Sequence, residues 1–150
     1  MAVLLSGIHF PVGPIKAFPF QHMVNVVAGV MIGPWYAAIS ALIAGIIRNA
    51  IGTGTLFAFP GGIPGAIVVG LVFRWVRRDW AALTEPVGTG LIGVPLTVFL
   101  LGPIMGKPLA FALFFPAFVA SSIPGSIIGY LLLKALRRTN VLKLKPMPEP

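Results

Sequence analysis

GIIRNAIGTGTLFAFPGGIPG, Gly45 to Gly65, decides the reading of this chain, because it sets the densest polar group between two apolar runs. Arg48 and Asn49 close one run. Gly52, Thr53, Gly54 and Thr55 make a flexible, hydroxyl-bearing turn, and Phe57, Phe59 and Pro60 lead into the next run. In a water-soluble protein this would be an ordinary loop, so its meaning depends on the solvent around it.

That solvent is lipid. Hydrophobic residues make up 57% of the chain and charged residues 9%, with a mean hydropathy of +0.98. Such values describe an all-α integral membrane protein. At about 20 apolar residues per spanning helix, the 150 residues give one compact domain of about five or six crossings, with no room for a soluble domain beside it. The net charge of +8 comes from 11 Lys and Arg against 3 acids. Most of the bases fall in two clusters rather than among aromatics on one face, which is a mark of membrane topology and not of nucleic-acid binding. The chain has no cysteine, so disulfides, thiolate chemistry and Cys-ligated metals are excluded.

Read in order, Met1 to Phe10 is apolar but stops at Pro11. Ten helical residues rise only about 15 Å, half of a ~30 Å hydrocarbon core. Either the true start lies upstream or the first helix is a truncated half-span. Its lack of a basic leader and of a small-residue cleavage site argues against a secretory signal. Val12 to Pro19 reads as an interfacial loop. Further helices are expected over Phe20 to Ile32, Trp35 to Ile47 and Ile63 to Val76, then Pro86 to Met105 around Pro95 and Ala112 to Leu136 around Pro124. The expected organisation is thus a six-helix transmembrane bundle over 1–136 and a basic cytoplasmic tail over 137–150.

Charge orients the bundle. With six helices and a cytoplasmic amino terminus, Arg74, Arg77, Arg78, Lys134, Arg137, Arg138, Lys143 and Lys145 lie inside, and Lys16, Arg48 and Lys107 lie outside. Eight against three obeys the positive-inside rule. Both termini are then cytoplasmic, and the Gly52 to Thr55 loop opens on the external face.

Small residues recur every four positions at Ala37, Ala41 and Gly45, at Gly62, Ala66 and Gly70, and at Ser121, Gly125 and Gly129. Such ridges let backbones approach closely, which is how helices associate in lipid. A polar stripe of Gln21, His22 and Asn25 opens the Phe20 helix, its members sharing a side at spacings of three and four. Taken singly, these side chains could be interfacial or join helices, and Arg48 could simply complement a helix end or snorkel to the surface. Their convergence favours a cavity. Gln21, His22, Asn25, Arg48, Asn49, Thr53 and Thr55 occupy one membrane level, with Phe18, Phe20, Phe57 and Phe59 beside them. An outward pocket with aromatic walls and neutral hydrogen-bonding groups suits a small, largely uncharged heterocycle.

Catalysis is not expected. The acids are Asp79, Glu85 and Glu149, all placed on the cytoplasmic side, so none faces the polar cluster. His9 and His22 lack the spacing of a zinc motif, Ser121 and Ser122 have no histidine close in sequence, and GTGT is not a phosphate-binding loop. No cofactor or metal is expected, and the chain has no means of hydrolysing ATP.

Ile15 to Gly62, with its FP-x-QHM-x-N, GPWY and RN-x-x-GTGT-x-x-AFPG elements, resembles the ThiW family of substrate-binding (S) subunits of energy-coupling factor (ECF) vitamin transporters. The resemblance implies a six-helix membrane subunit in a prokaryotic plasma membrane, importing the hydroxyethylthiazole precursor of thiamine. It also implies a transmembrane T subunit and two cytoplasmic ATPases as partners. By position it selects Gln21, His22, Asn25, Arg48, Asn49, Thr53 and Thr55. It further implies that Gln21, Asn25 and Thr55 bond the ligand's heteroatoms or hydroxyl, that Phe57 and Phe59 wall its ring, and that Arg48 braces the loop. S subunits dock on the T subunit through small residues of a complete first helix, and here only Ala2 and Ser6 stand in a clipped one. Thiamine or another vitamin is the alternative ligand, and a non-transport membrane scaffold is the alternative class.

Overall fold

A computed structural model describes residues 8–13 and 15–139 as a short hairpin followed by five helices. The helices are α1 (Pro19–Ile32), α2 (Pro34–Ala50), α3 (Ala58–Val76), α4 (Asp79–Ile104) and α5 (Phe111–Arg138). Three of them, α3, α4 and α5, are long and apolar enough to cross a membrane, and α1 is a shorter apolar helix. The protein is therefore an all-α membrane protein. The first expected span falls largely outside the described residues, apart from its end, where Phe10 opens a strand.

That strand, β1 (Phe10–Val12), pairs antiparallel with β2 (Ile15–Ala17), setting Phe10 opposite Ala17 and Pro11 opposite Lys16. The segment from Val12 onward, expected to be loop, is thus the second half of a hairpin before α1. Pro11 is tolerated because both strands of a two-stranded sheet are edges, and Gly13 turns the chain at φ 59°.

Prolines set the helix starts. Pro19 and Pro34 occupy first-turn positions, where a missing N–H costs nothing. Pro60 falls in the first turn of α3 for the same reason, so α3 begins at Ala58 rather than Ile63. The start of α4 moves further, from the expected Pro86 back to Asp79. A tight 3₁₀ turn over Asp79–Thr84 delivers the chain into Pro86 with the Glu85 N–H already bonded to Ala82. Beyond it α4 widens into π-type turns at Gly88–Gly93 and Leu96–Leu101, on either side of Pro95.

The small-residue ridges are packing seams. Ala37 and Ala41 of α2 meet Ala66 of α3 in one buried cluster, and a Cβ on Gly70 would run into the backbone of Pro34. Gly125 and Gly129 of α5 likewise receive α1 at His22 and Val26. A second cluster of Val26, Val30, Val69 and Leu133 seals the end of the bundle below the polar residues. Outside, Ile39, Ile43, Leu91, Phe99 and Leu131 are exposed, as lipid contact demands.

The two charge groups lie at opposite ends. Arg137 pairs with Asp79 at 2.6 Å, and Arg74 borders the α1–α2 turn at Gly33, which gathers α3, α4 and α5 termini at one end. Lys16, Arg48 and Lys107 sit at the other end, beside the hairpin, the end of α2 and the end of α4. Lys143 and Lys145 lie outside the described residues.

Candidate functional site

The polar stripe of α1 faces inward. Gln21, His22 and Asn25 are all buried, and Arg48 in the last turn of α2 is only 1% exposed. Helix α2 runs three residues past its expected end, so Arg48 and Asn49 stand within its last turn, Arg48 buried and Asn49 half-buried.

Arg48 holds two things at once. Its Nη1 donates to Gln21 Oε1, and its guanidinium lies 4.2 Å from the centre of the Phe18 ring, a cation–π contact. Its carbonyl accepts the N–H groups of Thr53 at 2.9 Å and Gly54 at 2.8 Å, which pins the following loop. A Cβ on Gly54 would overlap Arg48, so only glycine allows that approach. Asn49 Nδ2 donates to Gly45 O at 2.9 Å and Thr55 O at 3.1 Å, and Thr53 Oγ1 lies 3.4 Å from Arg48 O. Asn49 and Thr53 therefore shape the loop through backbone contacts.

Beneath Arg48 the glycine-rich start of α3 forms the facing wall. Gln21 Nε2 donates to Ala58 O at 3.3 Å and Asn25 Nδ2 to Gly62 O at 3.0 Å. A Cβ on Gly62 would collide with Gln21, and one on Gly65 with Glu85 and Thr89. The glycines are what let α1 and α4 bring polar side chains against α3.

Glu85 corrects the expectation that no acid reaches this cluster. It is fully buried, with Oε1 2.6 Å from His22 Nδ1, 2.9 Å from Thr89 Oγ1 and 3.5 Å from Asn25 Nδ2. Because α4 starts at Asp79, Glu85 already stands inside the bundle rather than on the cytoplasmic rim. The one signal in the sequence was the four-residue spacing from Glu85 to Thr89, which puts both on one helical face. Three buried polar atoms of this network, Arg48 Nε, Arg48 Nη2 and Glu85 Oε2, have no hydrogen-bond partner among the described residues.

Above the network lies a cavity of about 30 Å³. The hairpin and its exit supply Ile15, Lys16 and Phe18. Helix α1 supplies Gln21 and His22, and α5 supplies Ala117, Phe118 and Ser121. Thr55, Phe57, Ala58 and Gly61 complete it. Ser121 Oγ accepts the Phe18 N–H at 2.7 Å, which ties α5 to the entry of α1, and Phe57 packs edge-on against Phe114 with ring centres 4.8 Å apart. Of the expected site residues, Gln21, His22, Thr55 and Phe57 reach the cavity. Asn25 and Arg48 support it from below and beside. Phe59 is not brought there: it packs on Gly45 and lines a separate apolar groove with Leu56 and Leu100. Ligand pockets usually begin near ~300 Å³, so a heterocycle enters only if surrounding side chains give way. Among the described residues no three His, Cys, Asp or Glu side chains gather to hold a metal.

Buried charge beside a cavity at one end of an apolar bundle is the kind of feature that marks a functional path in a membrane protein. The chain belongs to the ThiW family: the family model described as thiamine-precursor transporter protein (ThiW) matches residues 1–139. Transport of a small-molecule thiamine precursor across the membrane follows from that membership, as the sequence resemblance implied. No curated protein and no solved structure matches the chain.

Proposed function

We propose that the chain is the substrate-binding subunit of an ECF-type importer and captures hydroxyethylthiazole or a close relative at the cavity between the hairpin, α1, α3 and α5. In this reading the cavity end faces outward, the basic end and both termini face the cytoplasm, and a T subunit with two ATPases supplies the energy. Gln21, His22 and Thr55 contact the ligand, Phe57 walls its ring, and Arg48 with Asn25, Asn49 and Thr53 holds the walls. Catalysis has no part in this reading.

The observation that supports it most is a pair of buried polar contacts, Arg48 with Gln21 and His22 with Glu85, set directly beneath the cavity. Burying an arginine and a glutamate in one small bundle is costly, and such groups in membrane proteins mark substrate paths. Thiamine itself is the second reading, favoured by Glu85, since an acid near the cavity removes the argument against a cationic ligand. Titration of the purified protein with hydroxyethyl-methylthiazole and with thiamine tests both. Saturable binding of the thiazole supports the first, preference for thiamine supports the second, and binding of neither returns the chain to the scaffold class.

A further inference from the structure

His22 lines the cavity while its Nδ1 is held by Glu85 Oε1 at 2.6 Å. The same oxygen is approached by Thr89 Oγ1 at 2.9 Å, whose one hydrogen also has Gly61 O at 2.8 Å, and by Asn25 Nδ2 at 3.5 Å, which can only donate. An oxygen that faces an amide N–H, which cannot accept, serves as acceptor there, which makes Oε1 the proton-free oxygen and gives the shared hydrogen to Nδ1. A neutral imidazole carries one N–H. With that hydrogen on Nδ1, Nε2 keeps its lone pair, and among the described residues it makes no hydrogen bond. Other charged groups near His22 are Lys16 of the hairpin, which lines the same cavity, and Arg48 of α2, which is held by Gln21.

We propose that Glu85 is a positioning residue that fixes His22 as its Nδ1–H tautomer, so that Nε2 accepts a hydrogen bond from a hydroxyl or N–H arm of the ligand. This rests on the function proposed above and deepens it: the cavity reads the ligand's donor arm as well as its aromatic ring. Gly65 belongs to the device, since a side chain there would push Glu85 and Thr89 out of place. The pairing also accounts for a buried acid beside the cavity, because the carboxylate acts on the imidazole and not on the ligand.

The test has two arms. In the first, histidine labelled with the heavy nitrogen isotope is read by NMR in detergent, and a His9→Gln variant assigns the two histidines. The expected result is an Nδ1–H, bare-Nε2 signature for His22, replaced by mixed tautomers in Glu85→Leu. A His22 carrying its hydrogen on Nε2, or on both nitrogens, overturns the positioning role without reference to any ligand. In the second, hydroxyethyl-methylthiazole is titrated against the ethyl analogue that lacks the hydroxyl. The hydroxyl compound should bind about tenfold more tightly, and His22→Phe should erase that preference. A preference that survives in His22→Phe overturns the role of Nε2 while leaving the transport reading intact. If neither thiazole binds, the ligand reading and the hydroxyl contact both fall, and the NMR arm alone decides the part played by Glu85.

Discussion

His22 Nδ1 and Glu85 Oε1 meet at 2.6 Å although 63 residues separate them, and this contact stitches α1 to α4 inside the bundle. Glu85 is fully buried and its Oε1 also faces Thr89 and Asn25, so removing the carboxylate takes the partner from His22 Nδ1 and leaves a void in a packed interior. Glu85→Ala should lower stability by at least about 3 kcal/mol. Glu85→Gln, which keeps an acceptor in the same place, should cost about 1 kcal/mol. Thermal unfolding in detergent measures both. Equal midpoints for Glu85→Ala and wild type would mean the contact does not form.

The glycine wall of α3 gives a steric version of the same argument. A Cβ at Gly65 overlaps both Glu85 and Thr89, whereas one at Gly90 meets only Phe115 and Val119 at 3.5 and 3.6 Å, ordinary van der Waals separations. Gly65→Ala should destabilise the protein by about 1–3 kcal/mol and abolish ligand binding. Gly90→Ala should leave both within about 1 kcal/mol of wild type. Similar behaviour of the two variants would argue against close packing of α4 on α3 at Gly65.

Much of this arrangement could be read from the chain alone, for identifiable reasons. Apolar runs punctuated by Gly33–Pro34 and by the Gly52 to Thr55 turn located α1, α2 and α3, because a helix in lipid must satisfy its own backbone and can end only where punctuation allows. The ridge at Ala37, Ala41 and Gly45 was legible because close approach demands small side chains. Glu85 was not legible, since its place depends on a 3₁₀ turn whose sequence, DWAALT, looks like a surface connector. Phe59 was misplaced for a related reason. Once Ala58 rather than Ile63 begins α3, Phe57 and Phe59 stand about 200° apart around the helix, so they cannot wall one cavity together. The hairpin hid behind Pro11 and Gly13, residues that signal a loop unless the partner strand is known.

Arg48 is positioned to fail in two separable ways. Its side chain bonds Gln21 and covers Phe18, while its carbonyl fixes the loop through Thr53 and Gly54. Arg48→Ala keeps the carbonyl and loses the rest, so the loop should stay ordered while Gln21 loses its partner at the cavity wall. Thiazole uptake by cells should fall at least about tenfold, in keeping with about 1.5–3 kcal/mol for a charged hydrogen bond. Arg48→Lys should recover only part of that, because an ammonium lacks the planar fork that stacks on an aromatic ring while donating sideways. Full uptake in Arg48→Lys would show that charge alone is required.

The proposed orientation is open to direct chemistry, because the chain has no cysteine and any introduced thiol is unique. Thr53 is exposed at the cavity end, and Arg78 is exposed at the end where Arg137 pairs with Asp79. Both substitutions fall outside the cavity lining, so Thr53→Cys and Arg78→Cys should insert normally. If the basic end lies in the cytoplasm, as proposed from the positive-inside rule, a membrane-impermeant maleimide added to intact cells should label Thr53→Cys and leave Arg78→Cys unmodified until the membrane is permeabilised. The opposite pattern would turn the cavity toward the cytoplasm. Capture from outside would then be impossible, since the polar network would meet its ligand only after the ligand had already crossed.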